Sequence, residues 1–298
     1  MGTPISFKGI FPPIPTAFDV GGSIALDALA GNLRKWNTYG LGGYVVAGSN
    51  GEAVYLTGEE KRRLWETARE VIPDGKLMIA GTGCESTAQT IALTQIAAEA
   101  GSDAALVVTP HYFDKLMTHD VLLSHFLAVA DASPIPILIY NVPKFTHVDL
   151  APETVACAAE HPNIVGMKDS SGSVAKIADV VRLTGADFQV LVGAGSVLFP
   201  GLVMGAVGGV VALGNVAPRQ ALDILELHGA GHWDEAAELQ RRMLPVNAAV
   251  TTRFGIPGLK AGLEMLGYYG GPVCPPLVAV SENVCDEIRA ILESGGLL

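Results

Sequence analysis

The sequence predicts a (β/α)8 barrel, the TIM-barrel fold, followed by a C-terminal helical extension. Short, nearly continuous apolar runs recur eight times up to residue 213, and amphipathic stretches separate them. Apolar strands alternating with helices imply a parallel sheet covered on both faces, and eight such units favour closure over an open doubly wound sheet. A third observation weighs against the runner-up, a Rossmann-like fold. No Gly-x-Gly-x-x-Gly turn follows the first run, and Gly193-Ala194-Gly195 falls too late in the chain for that role.

Taken in order, the predicted strands are residues 9–16, 43–47, 77–81, 104–109, 135–140, 164–167, 189–192 and 209–213. Helical periodicity fills residues 26–39, 59–71, 87–100 and 174–183 between them. Thr57-Gly58-Glu59-Glu60 fits a capping box, and Gly101 follows its helix where a left-handed cap is wanted. After Leu213 the strand pattern stops, and helices are expected over 219–228, 233–242, 245–253, 257–266 and 284–292. The barrel is therefore assigned to residues 1–228 and the extension packed on it to 229–298. No repeat, low-complexity tract or linker marks an independent second domain.

Composition excludes several classes of function. A net charge of −11 with no basic run argues against nucleic-acid partners or an anionic membrane surface, because phosphate binding needs clustered Lys and Arg. Residues 190–218 carry no charge and are long enough to span a bilayer, but seven glycines and Pro200 interrupt them. A buried strand, helix and strand give the same apolar run, so no membrane span is expected. Cys84, Cys157, Cys274 and Cys285 show neither C-x-x-C pairing nor a His at metal spacing. No metal, no cofactor and no disulfide framework is expected, and the thiols read as reduced and cytosolic. The first residues lack the basic and apolar segments of a secretory signal, so a cytoplasmic location is expected.

In a barrel of this kind the chemistry gathers where the strands end. Four such ends supply anion-binding amides, two phenols and an amine: Gly48-Ser49-Asn50-Gly51-Glu52, Thr109-Pro110-His111-Tyr112, Tyr140-Asn141-Val142-Pro143 and Lys168. Burial disfavours the ammonium form of an amine, so a lysine closing a buried strand is a candidate Schiff-base nucleophile. Gly48 and Gly51 let the backbone turn tightly and aim N–H groups at a small carboxylate, with Ser49 and Asn50 adding donors. A phenol such as Tyr140 beside a cationic iminium is suited to shuttling protons.

These three stretches, Gly48-Ser49-Asn50-Gly51-Glu52, Tyr140-Asn141-Val142-Pro143 and Gly166-Met167-Lys168-Asp169-Ser170, resemble the dihydrodipicolinate synthase / N-acetylneuraminate lyase family, class I pyruvate aldolases. Within it the segments from His161 to Ser170, from Asn247 to Lys260 and from Gly267 to Pro272 are most similar to 4-hydroxy-2-oxoglutarate aldolase. The resemblance implies a (β/α)8 lyase in which Lys168 forms the Schiff base with pyruvate or another 2-oxo acid. It also implies that Tyr140 relays protons and that Ser49 and Asn50 hold the pyruvyl carboxylate, with Ser49 joining the relay. Tyr112 matches a tyrosine that reaches into the neighbouring subunit's site, so a homotetramer built as a dimer of dimers is implied. Ser170 falls where the distal part of a substrate is contacted, and Gly193 and Val211 match backbone positions lining the pocket.

One position departs from the synthases of this family. Where they carry an arginine that gathers the carboxylate of aspartate semialdehyde, this chain has Phe145, which has no bidentate fork to offer. Lys144 is adjacent, but neighbouring positions need not point the same way. Cleavage of 4-hydroxy-2-oxoglutarate to pyruvate and glyoxylate is therefore the leading expectation. Cleavage of a 2-keto-3-deoxy sugar acid, dehydration of a hydroxylated 2-oxo acid, and 4-hydroxy-tetrahydrodipicolinate synthesis stand as alternatives. A non-catalytic 2-oxo acid binding protein comes last.

Overall fold

The computed structural model describes residues 5–298. Among them eight parallel strands run in the order β1-β8-β7-β6-β5-β4-β3-β2: β1 Gly9–Ile10, β2 Gly43–Val46, β3 Leu77–Gly81, β4 Ala104–Val108, β5 Ile137–Asn141, β6 Ile164–Asp169, β7 Gln189–Val192 and β8 Gly208–Gly209. The segment after β1 meets β2 through a parallel bridge between Pro13 and Val45, with Ile14 N donating to Val45 O at 3.0 Å and Val45 N to Pro12 O at 3.0 Å. The sheet closes there, and the predicted barrel stands. The first strand is much shorter than expected because Pro12, Pro13 and Pro15 have no N–H to give a ladder. The eighth also ends early, as Leu213–Val216 turns into a short helix rather than closing a strand.

Side chains alternate across each strand and so build two cores. Val45, Ile79, Leu106, Leu138, Leu191 and Val210 point into the barrel with Phe7 and Phe11, while Val46, Met78, Val107, Ile139 and Val192 face the surrounding helices. That outer layer is formed by α1 Leu26–Trp36, α2 Gly58–Val71, α3 Thr87–Glu99, α4 His119–Ala132, the one-turn α5 Pro143–Thr146, α6 Pro152–Ala158, α7 Val174–Leu183, α8 Leu198–Val203, α9 Leu213–Val216 and α10 Pro218–Gly229. Trp36, Trp65 and Tyr44 are wholly buried in it, each contributing about 2–3 kcal/mol of apolar burial. Their polar tips are satisfied: Trp36 Nε1 donates to Asn215 O at 3.0 Å, Trp65 Nε1 to Val46 O at 3.3 Å and Tyr44 Oη to Asn37 Oδ1 at 2.8 Å.

The predicted capping box is present, with Thr57 N donating to Glu60 Oε2 at 2.8 Å and Glu60 N to Thr57 Oγ1 at 3.2 Å. Gly101 takes a left-handed φ of 80° one residue past the cap of α3. The sequence reading did not single out α4, although Leu122, Phe126, Val129 and Ala130 form its buried stripe at helical spacing.

Past the barrel come α11 Trp233–Ala248, α12 Gly255–Met265 and α13 Glu282–Ser294, with a π-helical turn Ala249–Arg253 between the first two. The two helices expected over 233–242 and 245–253 are thus one helix that runs through Pro245 into the π turn. A proline inside a helix costs about 3 kcal/mol, and the buried neighbours Met243 and Val246 supply packing that outweighs it. Among the described residues no helix is long and apolar enough to cross a membrane. Residues 1–4 of the segment assigned to the barrel lie outside the described residues.

Candidate active site

Strand parity fixes the centre of the site. Tyr140 and Lys168 pair in register at the ends of β5 and β6, both on the inward-facing parity. Lys168 is 3% exposed, and its Nζ lies 3.9 Å from the centroid of the Tyr140 ring. The next residues face outward and lock the strand ends. Asn141 Nδ2 donates to Asp169 Oδ1 and to Asp149 Oδ1 at 2.8 Å each, and Ser171 Oγ donates to Asp169 Oδ2 at 2.6 Å. The amine and phenol therefore stand on rigid elements, which is what precise positioning of reacting groups requires.

The turn after β2 brings in Ser49, whose Oγ is 3.5 Å from Tyr140 Oη. It is a 3-10 turn over Ser49–Gly51 bracketed by Ala47 and Glu52 at φ 57° and 56°. Non-glycine residues adopt that left-handed conformation at a cost of about 1–2 kcal/mol each. Glu52 is held there by a buried ion pair with Lys260 of α12 at 2.7 Å, and its other oxygen accepts the Cys274 N–H at 2.7 Å. Lys260 Nζ also donates to Pro272 O at 2.7 Å. Burial holds the Lys260 ammonium below the ordinary lysine range, and the Glu52 carboxylate offsets part of that. The C-terminal helices thus clamp the turn after β2, a role the sequence does not announce for Glu52 or Lys260.

A cavity of about 130 Å³ opens over Lys168 and Tyr140, and Asn50, Ser170 and Gly193 line it as expected. Gly193 has to be glycine, since a Cβ there would lie 2.8 Å from the backbone oxygen of Asp169 as well as 2.0 Å from Ser170 Oγ, whereas a Cβ at Gly195 would lie 2.3 Å from Asn247 Oδ1 and displace that side chain. Val211 does not line the cavity. Parity turns its side chain into the outer core, and its neighbours Val210 and Ala212 take the place assigned to it. Tyr112 is not brought to Lys168 either. It is 77% exposed, stacks edge-on to Phe113 at 5.0 Å, and borders a second cavity on the far side of Ser49 and Tyr140. Nearby His111 pairs with Glu85 at 2.8 Å.

The fourth wall comes from the C-terminal helices. Asn247, Val250, Thr251, Thr252, Gly255 and Ile256 line the cavity, and sequence reasoning gave none of them a role. The signal the sequence carries for them is the motif from Asn247 to Lys260, whose resemblance implies no role for its individual residues. Both Phe145 and Lys144 also reach the cavity, so the lysine set aside on sequence grounds does border it. Among the lining residues Lys144 and Lys168 are the cations, and no carboxylate lines the space.

Electrostatics prepare the phenol. Burial raises the pKa of Tyr140, but the Lys168 charge beside the ring and hydrogen-bonding groups on Ser49, Ser170 and Lys168 outweigh it and leave the phenol below the ordinary tyrosine value. An amine and a phenol whose pKa is lowered, beside the Asn50 amide in one cavity and the Ser49 hydroxyl next to the phenol, can form an imine with a 2-oxo acid and move protons on it.

The model of the dihydrodipicolinate synthetase family matches residues 6–295. The chain is 36% identical over 289 residues to 4-hydroxy-tetrahydrodipicolinate synthase of Methanothrix thermoacetophila, covering 96% of each chain. To the enzyme of the same name from Syntrophus aciditrophicus it is 34% identical, covering 98% of this chain and 99% of that one. Among solved structures, the chloride-inhibited dihydrodipicolinate synthase of Acinetobacter baumannii in complex with pyruvate superposes with a TM-score of 0.94 at 28% identity, over 98% of this chain and all of that one.

Proposed function

We propose that this chain, which belongs to the dihydrodipicolinate synthetase family and is a class I aldolase-type lyase, cleaves 4-hydroxy-2-oxoglutarate to pyruvate and glyoxylate through a Schiff base on Lys168. The observation that carries the substrate is Phe145, which borders the cavity and offers no bidentate fork to the carboxylate of aspartate semialdehyde. Neutral Lys168 adds to C2 of the 2-oxo acid, and Tyr140 gives the proton with which the C2 hydroxyl leaves as water, so that a protonated imine and a phenolate remain. Ser49, Asn50 and the backbone of their turn hold the adjoining carboxylate. The Tyr140 phenolate takes the proton of the C4 hydroxyl, the C3–C4 bond breaks, and its electrons pass into the iminium to give an enamine while the aldehyde departs. Protonation at C3 and hydrolysis release pyruvate and restore the amine. Ser170 and Gly193 border the space for the distal part of the substrate.

A second reading, condensation of pyruvate with aspartate semialdehyde, is favoured by the names of the relatives, since those at 34–36% identity are 4-hydroxy-tetrahydrodipicolinate synthases. One assay separates the two. Pyruvate release is measured from 4-hydroxy-2-oxoglutarate and from 2-keto-3-deoxy sugar acids, beside consumption of pyruvate with aspartate semialdehyde. Release from 4-hydroxy-2-oxoglutarate at a kcat/KM of about 10⁴ M⁻¹s⁻¹ or more supports the proposal. Faster consumption with the semialdehyde overturns it in favour of the synthase, and release from the longer acids alone moves the chain to sugar-acid cleavage.

The assembly proposed is a homotetramer formed as a dimer of dimers in the cytoplasm, with Tyr112 entering the partner's site to extend the relay through Ser49 and Tyr140. Its support is the exposure of Val54 and Tyr112, which line the second cavity, and of Phe113, which packs edge-on against Tyr112. Sedimentation velocity is expected to show a tetramer. Tyr112→Phe is expected to lower kcat by about 10-fold or more with the assembly intact, the loss of one relay proton donor. A fully active monomer would end this assignment.

A further inference from the structure

We infer that Lys61 is an acylation site, its side-chain amine accepting a short acyl group from a thioester inside the second cavity. Lys61 occupies a core position on α2, on the stripe it forms with Leu64, Trp65 and Ala68 at helical spacing. It is 6% exposed, and its Nζ has no ion-pair or hydrogen-bond partner among the described residues. The side chain leads instead to the cavity of about 450 Å³ behind Ser49 and Tyr140, which it lines together with Cys84, Glu85, Gln89, His111 and Tyr112. No counter-charge is available there. Glu85, the carboxylate lining the space, pairs with His111 at 2.8 Å and accepts the His111 and Tyr112 N–H groups at 2.8 Å each. Burial pushes the Cys84 thiol up and holds the Lys61 ammonium below the ordinary lysine range, so amine faces thiol rather than ammonium thiolate.

A neutral amine is a nucleophile, and the charge of its product decides which electrophile suits this space. An imine becomes a cation again on protonation, and a carbamate is an anion beside Glu85. Without a counter-charge in the cavity, either product keeps a buried charge unpaired. An amide is neutral and removes it. The Lys61 lone pair attacks the thioester carbonyl, the C–N bond forms and the C–S bond breaks. The departing sulfur leaves as a thiol with the proton that the nitrogen sheds. Ser49 and Gln89 line the same space and carry O–H and N–H donors for the carbonyl oxygen.

The test incubates the native protein at neutral pH with the acetyl thioester of N-acetylcysteamine and follows acetylation of each lysine by peptide mass spectrometry. Lys61 is expected to label about tenfold faster than the exposed Lys8 and Lys115, whose amines stay protonated there. That advantage should shrink as the pH approaches about 10, where exposed amines lose their protons as well. Gln89→Glu sets a carboxylate in the cavity, favours the ammonium and is expected to slow Lys61 about tenfold, while Lys8 and Lys115 keep their rates. Lys61→Met removes the unpaired charge from a core position, so its thermal unfolding midpoint should equal or exceed that of the wild type. A clear fall in that midpoint means the ammonium has a partner and overturns the inference. Labelling of Lys61 no faster than that of Lys8 and Lys115 at neutral pH overturns it too, as does a Lys61 rate indifferent to Gln89→Glu.

Discussion

Replacing Lys168 by alanine is expected to lower turnover by about 10⁵-fold or more and to abolish the borohydride-trapped adduct, the scale on which loss of a covalent nucleophile is felt. No other amine takes its place: Lys144 is exposed and donates to the carbonyl of Thr251, and Lys260 is committed to Glu52 and Pro272. Lys168→Met keeps the volume of the buried stem and should behave alike, which separates loss of the amine from loss of packing. It also removes the charge beside the Tyr140 ring. Since that charge lowers the pKa of the phenol, its removal has to raise it, and an ultraviolet titration of tyrosinate should show one phenol moving to higher pH. Turnover within tenfold of wild type in either variant would rule out the Schiff-base mechanism.

The legible part of this chain was the part governed by local pattern. Eight apolar runs named the eight strands, because a strand covered on both faces has to be apolar throughout. Lys168 and Tyr140 stood out since each closes such a run with a reactive group, and register then made them neighbours. What escaped is what depends on contacts distant in sequence. Lys260 is more than two hundred residues from Glu52, and no period announces a buried ion pair. Asn247 and the π turn reach the cavity only because α11 continues through Pro245, where local propensity predicts a break. Val211 was placed by resemblance, and a one-residue difference in a strand is a change of face. Tyr112 reads as an active-site residue only if another subunit is present, a circumstance no single chain reveals.

The C-terminal helices therefore do more than cover the barrel. Through Glu52 they hold the turn after β2 in place, and through Asn247 they form part of the cavity wall. Removing one partner of a buried ion pair costs about 3–5 kcal/mol, so the clamp also ties barrel stability to these helices. Substrate choice in such an arrangement is open to change in α11 and α12 without touching the amine or the phenol.

Tyr140→Phe carries the second largest expected effect, a fall in kcat of about 10²–10⁴-fold, the usual contribution of a positioned general base. The ring remains, so the strand end and the packing of Lys168 against it are preserved, and pyruvate should still be trapped by borohydride, only more slowly. The split matters: loss of turnover with retained imine formation assigns Tyr140 to proton transfer and Lys168 to covalency. The pH dependence supplies the sign. A base has to be deprotonated, so kcat/KM should rise with pH as the phenol ionises, and the depressed pKa places that rise below the value of about 10 for a free tyrosine. Ser49→Ala removes a hydrogen bond that favours the phenolate, and the rise should then move to higher pH. An alkaline shift in Ser49→Ala together with disappearance of the limb in Tyr140→Phe identifies the phenol as the titrating group. A limb that survives unchanged in Tyr140→Phe would hand the proton to another residue.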